Sequence, residues 1–264
     1  MIAGLAPLLH QSYHRGMSQT VSVHLLPKLF EPDQLHGGCA VVIDVLRAST
    51  TIIHALAAGA KSVIPCEEVD EAKQLAANHS PDERLLGGER DGVRIDGFDL
   101  DNSPLAYTTD VVAGKTILFT STNGTRALAR ARAKMATPIL IGSFVNLQAI
   151  VDQLNNQQRS VHLVCAGTCG EITSEDVLFA GAVATALQET TFQSGNDEAD
   201  IAGGFFQRHT NSGETLFDAI CRSTGGRNLI KSGFDADIHR AAHVNRFDIV
   251  PHYNSQENKI TTTV

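Results

Sequence analysis

Short β-branched and aliphatic runs recur along the chain, each followed by a Gly-, Ser- or Thr-rich turn and then by a helical stripe. Residues 40–45 (Ala-Val-Val-Ile-Asp-Val) read as a buried strand. Ser49 is placed to cap a helix over 50–58, and Gly59 to end it. A strand starts at Val63-Ile64, and Val69, Ala72, Leu75 and Ala76 then form a helical stripe. Ser103-Pro104 reads as a cap and first helical position for a helix stopped by Gly114. Further strands are expected at 116–120, 139–141 and 161–165. An Ala/Arg-rich helix follows the first of these, Asn146 is a plausible cap after the second, and Ser174 caps a long helix to 188 after the third.

Strands alternating with helices of this length imply parallel βαβ units. The expected fold is a three-layer α/β/α protein with a mostly parallel sheet, a build from two pseudo-similar halves with the site between them being left open. One domain is expected over 21–264, with residues 1–20 as a tail outside it. The second methionine, Met17, leaves open that the first 16 residues precede the start of the protein. The polar, Gly-containing stretch 191–213 reads as a surface loop or insertion. Helices near 214–222 and 235–243 and a last strand at Ile249-Val250 complete the pattern.

Composition narrows the function. Of 264 residues, 21 are Lys or Arg and 29 are Asp or Glu, a formal net charge of −8. An acidic chain with no Trp and 3 Tyr is a poor nucleic-acid binder, and an anionic substrate must be held by local cations. The five cysteines form no disulfide framework, and Cys165 and Cys169 are too few for a zinc site. No apolar run reaches membrane-spanning length, and no signal peptide is evident in the first 16 residues. A reducing, cytoplasmic setting and no membrane partner are expected.

In open α/β sheets, ligands bind beyond the carboxyl ends of strands. Four polar clusters fall there: Asp44 with Arg47, Ser49, Thr50 and Thr51; Glu89 with Arg90; Ser121 to Thr125; and Ala166 to Gly170, followed by Glu175 and Asp176. Singly, each has an ordinary structural explanation. Asp44 or Ser49 serves as a helix cap, Asn123-Gly124 as a turn, and Glu175 and Asp176 as acids suited to a first helical turn. Together they predict phosphate chemistry with a hard metal ion. Asp44, Glu89, Glu175 and Asp176 are candidate oxygen ligands for Mg²⁺, with Mn²⁺ not excluded. Arg47 and Arg90 offer planar forks to phosphate oxygens. Ser49, Thr50, Gly167 and the Asn123-Gly124-Thr125 turn are expected to hold the phosphate, and Arg227 to meet a further acid group. Asp44, Arg47, Glu89 and Asp176 are the expected catalytic set.

The run Asp-Val-Leu-Arg-Ala-Ser-Thr-Thr at 44–51 resembles the hallmark of the 2-phosphosulfolactate phosphatase family. The resemblance continues in order through Gly-Glu-Arg at 88–90, Asn-Ser-Pro at 102–104 and Thr-Asn-Gly-Thr at 122–125. It extends to Cys-Ala-Gly at 165–167, Glu-Asp at 175–176 and Gly-Gly-Arg-Asn-Leu at 225–229. It implies Mg²⁺-dependent hydrolysis of (2R)-O-phospho-3-sulfolactate, a step toward coenzyme M, by a soluble homodimer. The partner implied is a small phosphorylated organic acid. Another phosphoester substrate, or a phosphate sensor without turnover, is the alternative.

Three rival readings fail on local pattern. A haloacid-dehalogenase-type phosphatase needs D-x-D after a strand, and Leu46 stands where the second acid belongs. No G-x-G-x-x-G follows a strand. Cys221 to Arg227 satisfies the C-x5-R spacing of cysteine phosphatases, but 214–220 reads as helix and the glycine pair as its stop. Cys221 is therefore expected to be a packed thiol.

Overall fold

The computed structural model describes residues 19–90, 92–133 and 138–262. The expected tail therefore lies outside the described residues, except for its last two positions. Strand β1 (Thr20–His24) is followed by β2 (Cys39–Ile43), helix α1 (Ala48–Ala57), β3 (Ser62–Cys66), α2 (Val69–Ala76), β4 (Arg84–Arg90) and β5 (Val93–Arg94). The one-turn helix α3 (Thr109–Val112), β6 (Thr116–Thr120), α4 (Gly124–Arg132), β7 (Ile139–Gly142), α5 (Leu147–Asn155), β8 (Val161–Cys165) and α6 (Ser174–Gln188) come next. The chain ends with β9 (Gln193–Ser194), α7 (Asp197–Ser212), α8 (Leu216–Arg222), α9 (Thr224–Lys231), α10 (Asp235–Ala241), β10 (His252–Asn254) and β11 (Lys259–Thr261).

The strands form one mixed sheet in the order β5-β4-β6-β3-β11-β10-β7-β2-β8-β1-β9, with helices on both faces, the three-layer arrangement expected. β2 shows why its sequence lacks polar alternation. Cys39, Val41 and Ile43 pack toward α5 and α6, while Ala40 and Val42 pack toward α1 and α4. A strand buried on both faces reads as a continuous apolar run.

Two parallel blocks, β4-β6-β3 and β7-β2-β8-β1, are joined by the hairpin of β10 and β11. β11 is antiparallel to β3, and β10 is antiparallel to β7. Three antiparallel pairings in succession make the blocks run in opposite senses. In a flat sheet their carboxyl ends would lie on opposite edges. They meet here: Asn123, after β6, accepts from the Cys169 N–H after β8 at 3.1 Å.

Three expectations are corrected. Residues 191–213 hold β9 and the 16-residue α7, not a loop. α7 packs on α6 through small residues: Ala199 and Ala202 are buried, and no side chain fits at Gly181, against the Ala202 carbonyl. Such an interface carries little hydrophobic periodicity. Asn196 starts the helix, accepting from the Ala199 N–H at 3.1 Å, and bonds both the N–H and the carbonyl of Val23. The strand expected at Ile249-Val250 is instead the hairpin that follows, whose three-residue arms mix His, Tyr, Asn and Lys and show no alternation. The helix expected from Ser103 to Gly114 is a 3-10 turn at Pro104–Ala106 plus α3, because the Ser103 hydroxyl is used elsewhere. Among the described residues, no helix is long and apolar enough to cross a membrane.

Candidate active site

A cleft of about 450 Å³ opens where the two blocks meet. Asp44 and Arg47 reach it from the loop after β2, Glu89 from the end of β4, Asn123 from the start of α4, and Lys231 from α9.

Asp44 ends the buried strand and caps the next helix. Its Oδ1 accepts the Ala48 N–H at 3.1 Å, and its backbone N–H donates to Ser49 Oγ at 3.0 Å. Ser49 also donates to the Val42 carbonyl, so it locks the turn and is not free to hold phosphate. Thr50 is likewise inward, donating to the Val45 carbonyl and pairing with Ser143. Gly124 lets α4 start against Asp44: a Cβ there would lie 2.8 Å from Asp44 Oδ2 and 2.6 Å from the Ala48 Cβ. Thr125 turns back to the Ser121 carbonyl at 2.6 Å.

Burial lifts the Asp44 carboxyl from its ordinary 3.8 to about 7; the Glu89 and Glu175 charges add to this, while the Ala48 N–H and Arg47 oppose it. Glu89 is fixed by three donors. Oε1 accepts from the Thr122 N–H at 2.9 Å and hydroxyl at 3.0 Å, and Oε2 accepts from the Gly92 N–H at 2.7 Å.

Asp176 sits behind the cleft as a clamp. Its oxygens accept the Val45 N–H at 2.8 Å and the Gly167 N–H at 2.9 Å, tying the loops after β2 and β8 together. Burial, Glu175 and Asp44 hold its carboxyl well above the usual range. Glu175 is also buried, with burial the main cause of its raised pKa, and its Oε2 has no hydrogen-bond partner. Gly225, at the start of α9, is glycine because a Cβ there would run into Glu175 Oε1. The glycine pair thus opens α9, correcting the expectation that it stops α8.

Arg47 is held from an unexpected quarter. Its Nη1 pairs with Asp237 Oδ2 at 2.7 Å, with both side chains almost fully buried, and its guanidinium lies 4.5 Å from the centre of the Phe234 ring. Asp237 Oδ1 accepts from the Ser103 hydroxyl at 2.6 Å. Burial pushes the Asp237 carboxyl up, while Ser103 and Arg47 hold it down.

Asp44, Arg47, Glu89 and Asn123 are therefore brought together on the cleft, with Ser49, Thr50, Gly124, Thr125, Gly167, Glu175 and Asp176 supporting it. Arg90 and Arg227 are not. Arg90 bonds the Glu67 and Glu89 carbonyls and the Thr120 hydroxyl. Arg227 folds back onto the Arg222 carbonyl and Thr224. Sequence reading missed Asn102, Lys231 and Asp237. The motifs at 102–104 and 225–229 flagged the neighbourhood of the first two, and nothing local flags Asp237.

The four acids do not form one metal cage. Among the described residues, no three His, Cys, Asp or Glu side chains are gathered closely enough to hold a metal ion. Asp176 and Glu89 spend their oxygens on N–H and hydroxyl donors. The remaining set still fits a hydrated Mg²⁺, which is commonly bound through one or two carboxylates plus water and substrate phosphate. Burial lifts the Asp44 pKa, with the nearby Glu89 and Glu175 charges adding to it, and Glu175 has an orphaned oxygen behind it.

Cys221 and Arg227 lie on consecutive helices, and neither lines the cleft. Burial, then Asp218 and Asp235, pushes the Cys221 thiol up, away from the thiolate a nucleophile needs. Cys221→Ser is expected to keep turnover within about twofold of wild type, a surface-like effect. A dead variant in a steady-state assay would restore the thiol mechanism.

A cleft at strand carboxyl ends, lined by polar and apolar groups alike and with buried acids beside an arginine, is where an α/β enzyme places a small-molecule site. The sequence comparisons narrow that class. The 2-phosphosulpholactate phosphatase profile matches residues 24–256. A probable 2-phosphosulfolactate phosphatase of Caldanaerobacter subterraneus is 40% identical over 211 residues, covering 80% of this chain and 86% of its own. One from Symbiobacterium thermophilum is 40% identical, covering 83% and 92%. One from Synechocystis is 37% identical, covering 88% and 95%. The chain belongs to the 2-phosphosulpholactate phosphatase family, and so to the phosphoric monoester hydrolases.

Proposed function

We propose that the protein is a Mg²⁺-dependent phosphatase that hydrolyses (2R)-O-phospho-3-sulfolactate to sulfolactate and phosphate. The observation that carries this reading is the buried Asp44 facing, together with Arg47, a cleft at the strand ends of a chain that matches the 2-phosphosulpholactate phosphatase family over residues 24–256. Such a site favours a cation and, through it, an anion. Asp44 would hold the Mg²⁺, which would offset charge on the phosphoryl oxygens and lower the pKa of a bound water.

The chain's own residues supply the rest. Arg47 presents its guanidinium to the phosphoryl group from a fixed position. α4 begins at the cleft without a side-chain cap from Asn123, but Ser121 Oγ takes the Thr125 N–H at 3.3 Å, so only the remaining N–H groups of its first turn are left to meet an oxyanion. Glu89 is immobilised by Thr122 and Gly92, and the lone pair still open on Oε2, which takes only the Gly92 N–H, orients the water. The water oxygen forms a bond to phosphorus as the bond to the sulfolactate oxygen breaks, and the proton that the water gives up ends on the leaving alkoxide.

The test is phosphate release from 2-phosphosulfolactate and from a panel of small phosphoesters, with Mg²⁺ and with EDTA. Release from 2-phosphosulfolactate, lost in EDTA and restored by Mg²⁺, is expected. Full activity in EDTA would end the metal step, and phosphate binding without any release would make the protein a sensor. The family resemblance also supports a homodimer, which sedimentation of the purified chain decides.

A further inference from the structure

Helix α9 forms one wall of the cleft. Gly225, Asn228, Leu229 and Ser232 line it, spaced as one helical face, with Lys231 at the edge of that face. The wall is fixed from behind. Ser223 Oγ accepts the Gly226 N–H at 2.9 Å and donates to the Ile220 carbonyl at 2.6 Å. Leu229 packs into the core, and its carbonyl accepts the Phe234 N–H at 2.9 Å.

What this wall presents to the cleft is unused. Among the described residues, the side chains of Asn228, Lys231 and Ser232 have no hydrogen-bond or ion-pair partner. Of the charged side chains on the lining, Asp44 and Glu89 are acids, and the charge of Arg47 is met by Asp237. Lys231 is the remaining cation, and no acid among the described residues answers it. An ammonium group only donates, so the partner it lacks is an acceptor. The chain carries a net charge of −8, so its overall field does not hold an anionic ligand in place; a local cation must. Arg227, the cation expected for that task, is turned onto the Arg222 carbonyl.

Depth separates the two ends of the cleft. Asp44, Arg47 and Glu89 are buried, whereas Asn228, Lys231 and Ser232 are exposed. A ligand whose phosphoryl group reaches the floor leaves its far end against α9. We propose that Lys231 is a specificity-determining residue whose ammonium group, with Asn228 and Ser232 beside it, binds the sulfonate at the far end of the substrate. The choice of sulfonate rests on the phosphosulfolactate reading. In that molecule the carboxylate shares a carbon with the phosphoester oxygen and stays near the floor, while the sulfonate lies one carbon further out. Its oxygens accept from an ammonium, an amide N–H and a hydroxyl together.

The experiment is steady-state kinetics of the full chain with Mg²⁺ on two esters: 2-phosphosulfolactate, and the analogue with a methyl group in place of the sulfomethyl group. Lys231→Met is expected to lower kcat/KM for the first roughly tenfold, through KM, the loss of one hydrogen bond to a charged group. The methyl analogue should lose far less, so the preference between the two esters falls. Lys231→Arg, which keeps the charge, should restore most of that preference. Equal losses on both esters, or no loss on either, overturn the proposal. If the wild type releases phosphate from neither ester, the phosphatase reading fails, and calorimetric titration with sulfolactate then decides Lys231 by itself. Weaker sulfolactate binding in Lys231→Met than in wild type sustains its role, and equal or absent binding in the two proteins overturns it.

Discussion

If Asp44 holds the metal as proposed, Asp44→Asn is expected to lower phosphate release by about a thousandfold or more, since it removes a ligand and its charge from the reacting centre. The fold should survive. Ala48 donates to one carboxyl oxygen, and an amide oxygen can accept the same bond. Stability should move the other way from activity. With the folded-state carboxyl at about 7 against an ordinary 3.8, the folded protein holds a proton that the unfolded chain has lost across that interval. The stability this contributes is complete below the unfolded value and disappears as the pH rises through about 7. In EDTA, the wild-type melting temperature should therefore fall between those pH values. Asp44→Asn should show a shallower fall and melt higher above pH 7. Glu175 and Asp176 are raised too, so some slope remains. Identical slopes in the two proteins would remove Asp44 as the source, and wild-type turnover in the variant would remove its role.

Arg47→Met should be costly in both stability and turnover. The substitution leaves Asp237 buried, charged and without its cation, a loss on the order of 3–5 kcal/mol. The missing guanidinium also takes a cation from the cleft wall. The two effects separate in Arg47→Met with Asp237→Asn. The neutral amide can still accept from Ser103, and no orphan charge remains, so much of the stability should return. Turnover should not return, because the substrate has lost its arginine. Denaturant unfolding measures the first effect and steady-state kinetics the second. A double variant that regained activity would make Arg47 a purely structural residue.

The site was unevenly legible in the sequence. Asp44, Arg47, Glu89 and Asn123 were visible because each follows a strand-like run, and strand ends are where α/β sheets place their ligands. Arg90 stands at such an end too, yet its guanidinium is consumed by carbonyls nearby, which no spacing reveals. Asp176 reads as a metal ligand from its type and place. Only the fold shows both of its oxygens spent on backbone N–H groups. Asp237 lies 190 residues from its partner Arg47 and leaves no local trace.

By itself the sequence determined the strands and helices whose apolar runs are long enough to signal burial, such as β2 and α6, and with them the α/β class and the family. Local residue order sets these, because a strand buried on both faces or a capped helix is specified by neighbours in the chain. Only the tertiary structure decided that two oppositely directed blocks share one cleft, that a short polar hairpin joins them, and which acids remain free to act. Those outcomes depend on pairings between distant segments and on which donors reach each buried oxygen, and such competition is settled only when the whole chain has packed.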